Sequence, residues 1–482
     1  MRYWKRIAFM VTLSLFPRLL AAHSFDIASL AGEHWYGLYL NGQKSGYACN
    51  RLSQDASGQV TVAEEAHFLI RMSGIRQDMR ISSKRIYSSE GALILVESEV
   101  NDPAGAKTFK ARVEGDTLVL HSEVGGAAID KTLPKPHESL RDALKQVELV
   151  GAGAKVGDTL AFSLFDPMFE REMKGVSRVV GMEERVFEGA PARVYQITTT
   201  LEELGITTNS YVTDSGVTLE DTFAQVMTMR LEPEDLAKDV RYSNDVIVSN
   251  AALVEKPIGD PRSRSSLRLV LRGPLTTPLL FNDERQQLHA TGDKFEFTGK
   301  RVVLDGFTPV RLPVTDADAA QWIKPTTYIQ SDHPKLAAKA KEIINDEADS
   351  FKVSERLCHW VYGNVHTTFS ARLSNALEVL EDPQGDCTEH SILFIGLARA
   401  AGLPAREVAG LVYVEGDKPG FYFHQWAKVW IGKWIDVDPT FNQPLADATH
   451  IKLAEGDLLQ QAALLPVIGQ IKIEVPDDSP SS

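Results

Sequence analysis

Three side chains that together can carry out nucleophilic acyl transfer occur in order in the last quarter of this 482-residue chain. They are a thiol at Cys387, an imidazole at His424 and a carboxylate at Asp438, just before Pro439. In such a set the thiolate attacks a carbonyl, the imidazole moves the proton, and the carboxylate orients the imidazole. The run Pro383-Gln384-Gly385-Asp386-Cys387-Thr388-Glu389-His390 gives the cysteine a defined place. Asp386 is a good helix N-cap, and Glu389 three residues later completes a capping box. Cys387 then takes the first helical position, where the helix dipole and free N–H groups favour thiolate and lower a pKa that is ordinarily about 8.5. The same N–H groups, that of Cys387 included, are placed to stabilise an oxyanion.

The elements that must position these groups follow from the pattern around them. The helix continues through Ile392, Leu393, Phe394, Leu397 and Ala400, ends at Gly402, and cannot pass Pro404. It is apolar on nearly every side, which predicts a buried, central helix. Two strands follow, Arg406 to Val414 and Phe421 to Ile431, with His424, Trp426, Lys428 and Trp430 on one face of the second. The chain turns at Gly432-Lys433 and returns from Trp434 to Asp438, where Pro439 ends the strand. A two-residue loop would pair Asp438 with Ala427, on the face opposite His424. A three-residue loop would pair Trp430 with Trp434 and bring Asp438 to the His424 face. The set therefore requires an odd loop or a bulge, and one is predicted.

Gly385-Asp386-Cys387-Thr388-Glu389-His390, the run Leu397 to Arg406, His424-Gln425-Trp426 and Asp438-Pro439-Thr440 closely resemble the bacterial transglutaminase-like superfamily. The similarity covers roughly Ser331 to Asp457. It implies a papain-like core with Cys387 as nucleophile, His424 as general base and acid, and Asp438 as the residue orienting the imidazole. Gln425 replaces the small residue the family commonly has between His and Trp. Asp436 is a nearby rival to Asp438, but the family carries its carboxylate directly before Pro-Thr. Trp426 is read as packing beneath the site. Cys358-His359 and His366 are too sparse for a metal site, Gly-rich phosphate loops are absent, and neither metal nor cofactor is expected.

The rest of the chain reads as support. Residues 1–22 have a basic start (Arg2, Lys5, Arg6), an apolar core from Ile7 to Phe16 and a small-residue end at Ala21-Ala22, the pattern of a secretory signal peptide. A periplasmic or secreted bacterial protein is expected, with no membrane span once the signal is removed. From residue 23 to 255 strand patterns dominate, opening with a hairpin at Asn41-Gly42 and interrupted by a helix at His137 to Val150. This predicts an antiparallel β-rich domain resembling the half-barrel carrier folds of the bacterial envelope, suited to an envelope partner or to presenting substrate. Residues 256–330 read as a linker and small β module, with strands at Leu267 to Leu271, Lys294 to Phe297 and Arg301 to Leu304. Residues 331–475 form the α+β catalytic domain, with helices at Pro334 to Ile344, Phe351 to Tyr362 and Asn375 to Leu380, and residues 476–482 a polar tail. The fold class is thus α+β and multidomain.

A net charge of −14 argues against nucleic acid as partner. With three cysteines, a Cys49–Cys358 bridge would leave Cys387 free. The expectation is an exported cysteine enzyme acting on amide bonds of peptides or proteins through a thioester, with hydrolysis favoured. Protein cross-linking at glutamine is the alternative enzyme reading, and a catalytically silent peptide-binding envelope protein the alternative outside enzymes.

Overall fold

The computed structural model describes residues 27–476, apart from 73–74, 152, 203–204, 242–249 and 370–373. The signal segment expected at residues 1–22 lies outside the described residues. Fourteen strands form one antiparallel sheet. Its first eight are β1 (Gly32–Leu40), β2 (Gln43–Gln54), β3 (Val60–Met72), β4 (Ile75–Tyr87), β5 (Leu93–Asp102), β6 (Gly105–Glu114), β7 (Thr117–Val124) and β8 (Ala127–Pro134). The others are β9 (Thr159–Asp166), β10 (Arg171–Phe187), β11 (Ala190–Leu201), β12 (Ile206–Thr213), β13 (Thr218–Phe223) and β14 (Met227–Leu231). The chain enters mid-sheet at β1, meanders out to β8, crosses to β9 at the other end, and returns until β14 pairs with β1. The result is an open, half-barrel-like sheet. Asn41 and Gly42 turn the first hairpin at positive φ (47° and 79°), the backbone that Asn-Gly adopts readily.

Local departures from the sequence reading have local causes. The strand-like stretch Val217 to Thr228 divides between β13 and β14, because Ala224 and Gln225 form a turn at φ 51° and 59°. The helix expected over His137 to Val150 is two short ones, Leu140–Ala143 and Lys145–Gly151. Ser139 caps the first, and Leu144 leaves helical backbone (φ −97°, ψ 28°) to pack with Ile27 and Val60. Arg301 to Leu304 is not a strand. After Arg301 N–H bonds the carbonyl of Ser265, Val302 turns into the helical core while Val303 stays exposed.

Two further sheets flank the helices. β16 (Ser266–Arg272), β17 (Gln286–Thr291) and β18 (Lys294–Lys300) form a small antiparallel sheet, which the late strand β25 (Lys472–Glu474) joins beside β16. The other holds β15 (Ala252–Leu253), β21 (Ala405–Val414), β22 (Gly420–Trp430), β23 (Trp434–Val437) and β24 (Ile451–Glu455), in the order β15-β22-β21-β24 with β23 on β22. Helices Pro334–Ile344, Ser350–Asn364 and Ala376–Glu381 surround helix Cys387–Ala400. A short parallel pair, β19 (His366–Thr367) and β20 (Gln384–Gly385), leads into that central helix. One core joins these helices to Ala427, Val429, Ile435 and Val437, and a second joins the small sheet to Leu411, Phe421, Ile451 and Leu453. The β22–β21–β24 sheet is thus packed into both cores. No helix among the described residues is long and apolar enough to cross a membrane.

Candidate active site

Helix Cys387–Ala400 begins as its sequence dictates. The Asp386 side chain accepts from Thr388 N at 2.8 Å, and Glu389 Oε2 accepts from Asp386 N at 2.9 Å. Cys387 is the first helical residue and is half-buried. Every residue from Glu389 to Arg399 is buried, so the cysteine sits on the tip of a rigidly held rod. Ser391 Oγ donates to the carbonyl of Gln425 at 3.0 Å, and the backbone N–H of Gln425 acts to lower the pKa of the Cys387 thiol. The main chain next to His424 therefore clasps the start of the helix. The Gln425 side chain has no part in this, which explains how the position tolerates a larger residue than is usual.

The hairpin that carries His424 and Asp438 has the odd loop the chemistry requires. Trp430 pairs with Trp434 across Ile431-Gly432-Lys433, and Val437 pairs with Ala427. Asp438 consequently arrives on the His424 face, and His424 Nε2 lies 2.8 Å from Asp438 Oδ2. The other carboxylate oxygen accepts from Thr440 N at 2.8 Å and Phe441 N at 3.3 Å. Asp438 therefore both orients the imidazole and caps the Pro-Thr turn. That turn lays the Phe441 ring against His424, centroids 5.1 Å apart, with Arg262 over the far side of the ring. Trp426 is fully buried and stacks near His424, a packing role as expected.

Asp436, the rival carboxylate, is engaged elsewhere. It accepts from Arg285 Nε at 2.8 Å and from Trp426 Nε1 at 3.3 Å, inside a buried ionic cluster with Lys452. The cysteines Cys49 and Cys358 are both free, so the bridge considered from the sequence is not formed. They lie in β2 and in helix Ser350–Asn364, and the Cys358 thiol instead faces the carbonyl of Asp438 at 3.7 Å.

The sequence reading missed His450. Its Nε2 lies 2.8 Å from the same Asp438 Oδ2, and its Nδ1 lies 3.1 Å from Asp447 Oδ1. His424, Asp438 and His450 offer three potential ligand atoms within 4.8 Å of one another. The 2.8 Å separations fit hydrogen bonds. Two ligands of one tetrahedral ion with bonds of about 2.0–2.1 Å would stand about 3.3 Å apart. The set fits a hydrogen-bonded chain and not a metal centre. The only sequence signal for it is Asp447 three residues before His450, which is too short to specify a site.

The electrostatics correct one expectation. Burial, reinforced by Asp386 and by Glu389 and Asp438, pushes the Cys387 thiol well above its ordinary range, against the lowering effect of the Gln425 N–H. The effect of the helix terminus is opposed at this thiol, first by burial and then by the neighbouring acidic groups. Burial also acts to raise Asp438, but His424 and His450 outweigh it and hold the carboxyl well below the usual range. Asp438 is thus an ionised acceptor, so a neutral His424 carries its proton on Nε2 and its lone pair on Nδ1. That is the tautomer able to take a thiol proton.

Residues 337–439 match the family model of the transglutaminase-like superfamily. An uncharacterised protein of Haemophilus influenzae is 28% identical over 124 residues, which are 25% of this chain and 33% of that protein. The chain thus spans about a third of that relative's length. Among solved structures, a candidate cysteine protease of Cytophaga hutchinsonii aligns at 17% identity and TM-score 0.30, over 45% of this chain and 85% of that one. A β-barrel-like protein of a domain of unknown function from Brucella abortus aligns at 12% identity and TM-score 0.34, over 42% and 94% of the two chains.

Proposed function

We propose that the transglutaminase-like domain carried by residues 337–439 makes this chain a cysteine enzyme that cleaves amide bonds of peptide or protein substrates through a thioester. The observation that carries the proposal is the 2.8 Å bond from His424 Nε2 to Asp438, made on the strand whose next residue, Gln425, accepts from Ser391 near the start of the Cys387 helix. His424 Nδ1 takes the thiol proton as sulfur attacks the substrate carbonyl. The oxyanion that forms is stabilised by the unpaired N–H of Cys387 at the helix start. The imidazolium then protonates the departing amine, the C–N bond breaks, and the acyl group remains on sulfur. Water, deprotonated by His424, attacks the thioester and releases the acid and the free thiol.

Hydrolysis is the favoured outcome, and transfer of the acyl group to a substrate amine is the second. Both use the same parts. The test incubates the purified chain with peptide pools, with and without an added primary amine, beside Cys387→Ala. New termini or deamidated side chains that depend on Cys387 support hydrolysis, and amine adducts support cross-linking. The absence of any Cys387-dependent product overturns both and leaves a peptide-binding protein. The proposal extends to export through residues 1–22, which N-terminal sequencing of the protein from an envelope fraction would check, and to the half-barrel-like sheet as a scaffold that presents substrate.

A further inference from the structure

We propose that His450 is a positioning residue, a buried imidazolium clamped between Asp438 and Asp447 that fixes the orienting carboxylate and sets how strongly His424 holds its proton. The inference rests on the function proposed above and deepens it. His450 is fully buried, and each of its ring nitrogens faces a carboxylate oxygen. An ionised carboxylate only accepts, so both nitrogens must donate. Asp447 is held as an acceptor on both oxygens. Thr449 N (2.8 Å) and Thr449 Oγ1 (2.6 Å) bond Oδ1, while Gln443 Nε2 (2.8 Å) and Arg262 Nη1 (2.9 Å) bond Oδ2. The ring is pinned further by Trp426, edge-on with centroids 5.1 Å apart, and by Arg285 Nη1 on the His450 carbonyl at 2.6 Å.

The charges in this chain balance, two carboxylates against His450 and Arg262. Burial opposes a charge on His450, yet Asp447 and Asp438 outweigh it and raise its pKa. Around the reacting pair, Asp386 and Glu389 face the thiol, and His390 and Cys358 lie near Asp438. Asp436, Arg285 and Lys452 form the next layer behind Trp426. Within this set His450 is the cation placed directly on the carboxylate that orients His424. It blunts the field of Asp438, so His424 is aligned without being made too basic to return its proton to a leaving amine.

The test is the pH dependence of Cys387 alkylation by iodoacetamide in wild type, His450→Gln and His424→Ala. The His450→Gln side chain keeps an amide donor toward Asp438 but removes the charge. Loss of a cation favours the protonated forms of both Cys387 and His424, so the onset of alkylation must move to higher pH. The His424 and His450 ring centroids are 5.9 Å apart. At an effective dielectric of about 20, that distance corresponds to a shift on the order of one to two pH units. A His450→Gln profile that superimposes on wild type overturns the inference, since a merely structural histidine moves no midpoint. Nitrogen-15 spectra of histidine-labelled wild type decide the matter should His450→Gln fail to fold. A doubly protonated His450 ring at pH 7 supports the inference, and a neutral one overturns it. If His424→Ala is alkylated like wild type, the nucleophile reading itself falls, and this inference with it, without His450 having been touched.

Discussion

Asp438→Asn is the substitution whose consequence follows most directly from the geometry. The carboxylate accepts four bonds, two from backbone N–H groups on Oδ1 and two from imidazoles on Oδ2. An amide has one oxygen and one NH2. Setting NH2 against Thr440 and Phe441 would leave two buried backbone donors unpaired, at about 1–3 kcal/mol each. The oxygen therefore keeps that side, and the NH2 faces the imidazoles, where His450 must give up its Nε2 proton as well. His424 must then accept at Nε2 and carry its proton on Nδ1, the tautomer with no free lone pair to take the proton of a thiol. The corresponding change in Ser-His-Asp triads lowers turnover about 10⁴-fold by this tautomer effect, or about 5 kcal/mol of barrier. Alkylation by iodoacetamide at pH 7 reads the first step without a known substrate. Burial and Asp386 hold the thiol protonated in wild type and variant alike, so alkylation depends on a base taking its proton, and the rate should fall when His424 presents N–H instead of a lone pair. A folded Asp438→Asn protein alkylated at the wild-type rate would refute the reasoning.

Three further substitutions probe the frame that holds the site. Arg285→Ala removes the cation bonded directly to Asp436, both side chains of the pair being 2% exposed, and leaves Lys452 at 3.9 Å, so it should cost less than the roughly 3–5 kcal/mol of a fully uncompensated charge, read as a lower urea midpoint with an unchanged slope. Gly410→Ala would set a Cβ 1.9 Å from the carbonyl of Ile451. It should open the pairing of β21 with β24 and destabilise the fold by several kcal/mol, and a wild-type melting temperature would show that the backbone relaxes instead. Glu389 is pushed up to about 8 from its ordinary 4.5 by burial and then by Asp386. A raised carboxyl binds, in the folded state, a proton that the unfolded chain has already released, so its contribution to stability falls as pH rises from about 4.5 to 8. Glu389→Gln keeps an acceptor for Asp386 N and removes that slope, so wild type should lose stability relative to the variant between about pH 5 and 8 in urea titrations. Parallel profiles would show that Glu389 stays ionised.

The helices were legible because their ends are written in residues with one physical use. Pro334 opens its helix, Asn345 closes it in left-handed backbone, and Asn375 and Asp386 form capping boxes with Glu378 and Glu389. Strand existence was mostly legible and strand division less so. The turn between β13 and β14 puts Ala224 and Gln225 at positive φ, where no turn residue announces it. β8 and β17 escaped because Ala127–Pro134 has no fully buried residue and Gln286–Thr291 is polar and mostly exposed. An edge strand with little to bury has little pattern to show.

The site divides along the same line, between what a local pattern decides and what packing decides. The parity of one loop decides the face, and position along the strand separates the two carboxylates on it, Asp436 opposite Lys428 and Asp438 one pair further on, beside His424. Side chains alternate across a strand, so the pairing of Trp430 with Trp434 sends Asp438 to His424. The preceding carboxylate remains with Arg285. His450 had no such handle. It reaches Asp438 only because the chain loops back through the Asp438–Gln443 bridge and pairs β24 on β21, next to the strand that carries His424. Its ionisation depends on Asp447, which depends in turn on Arg262, 185 residues earlier in the chain. The capped helix start that carries Cys387 could be read from eight consecutive residues, whereas the charges around Asp438 are assembled from separate segments and come together only once these have packed.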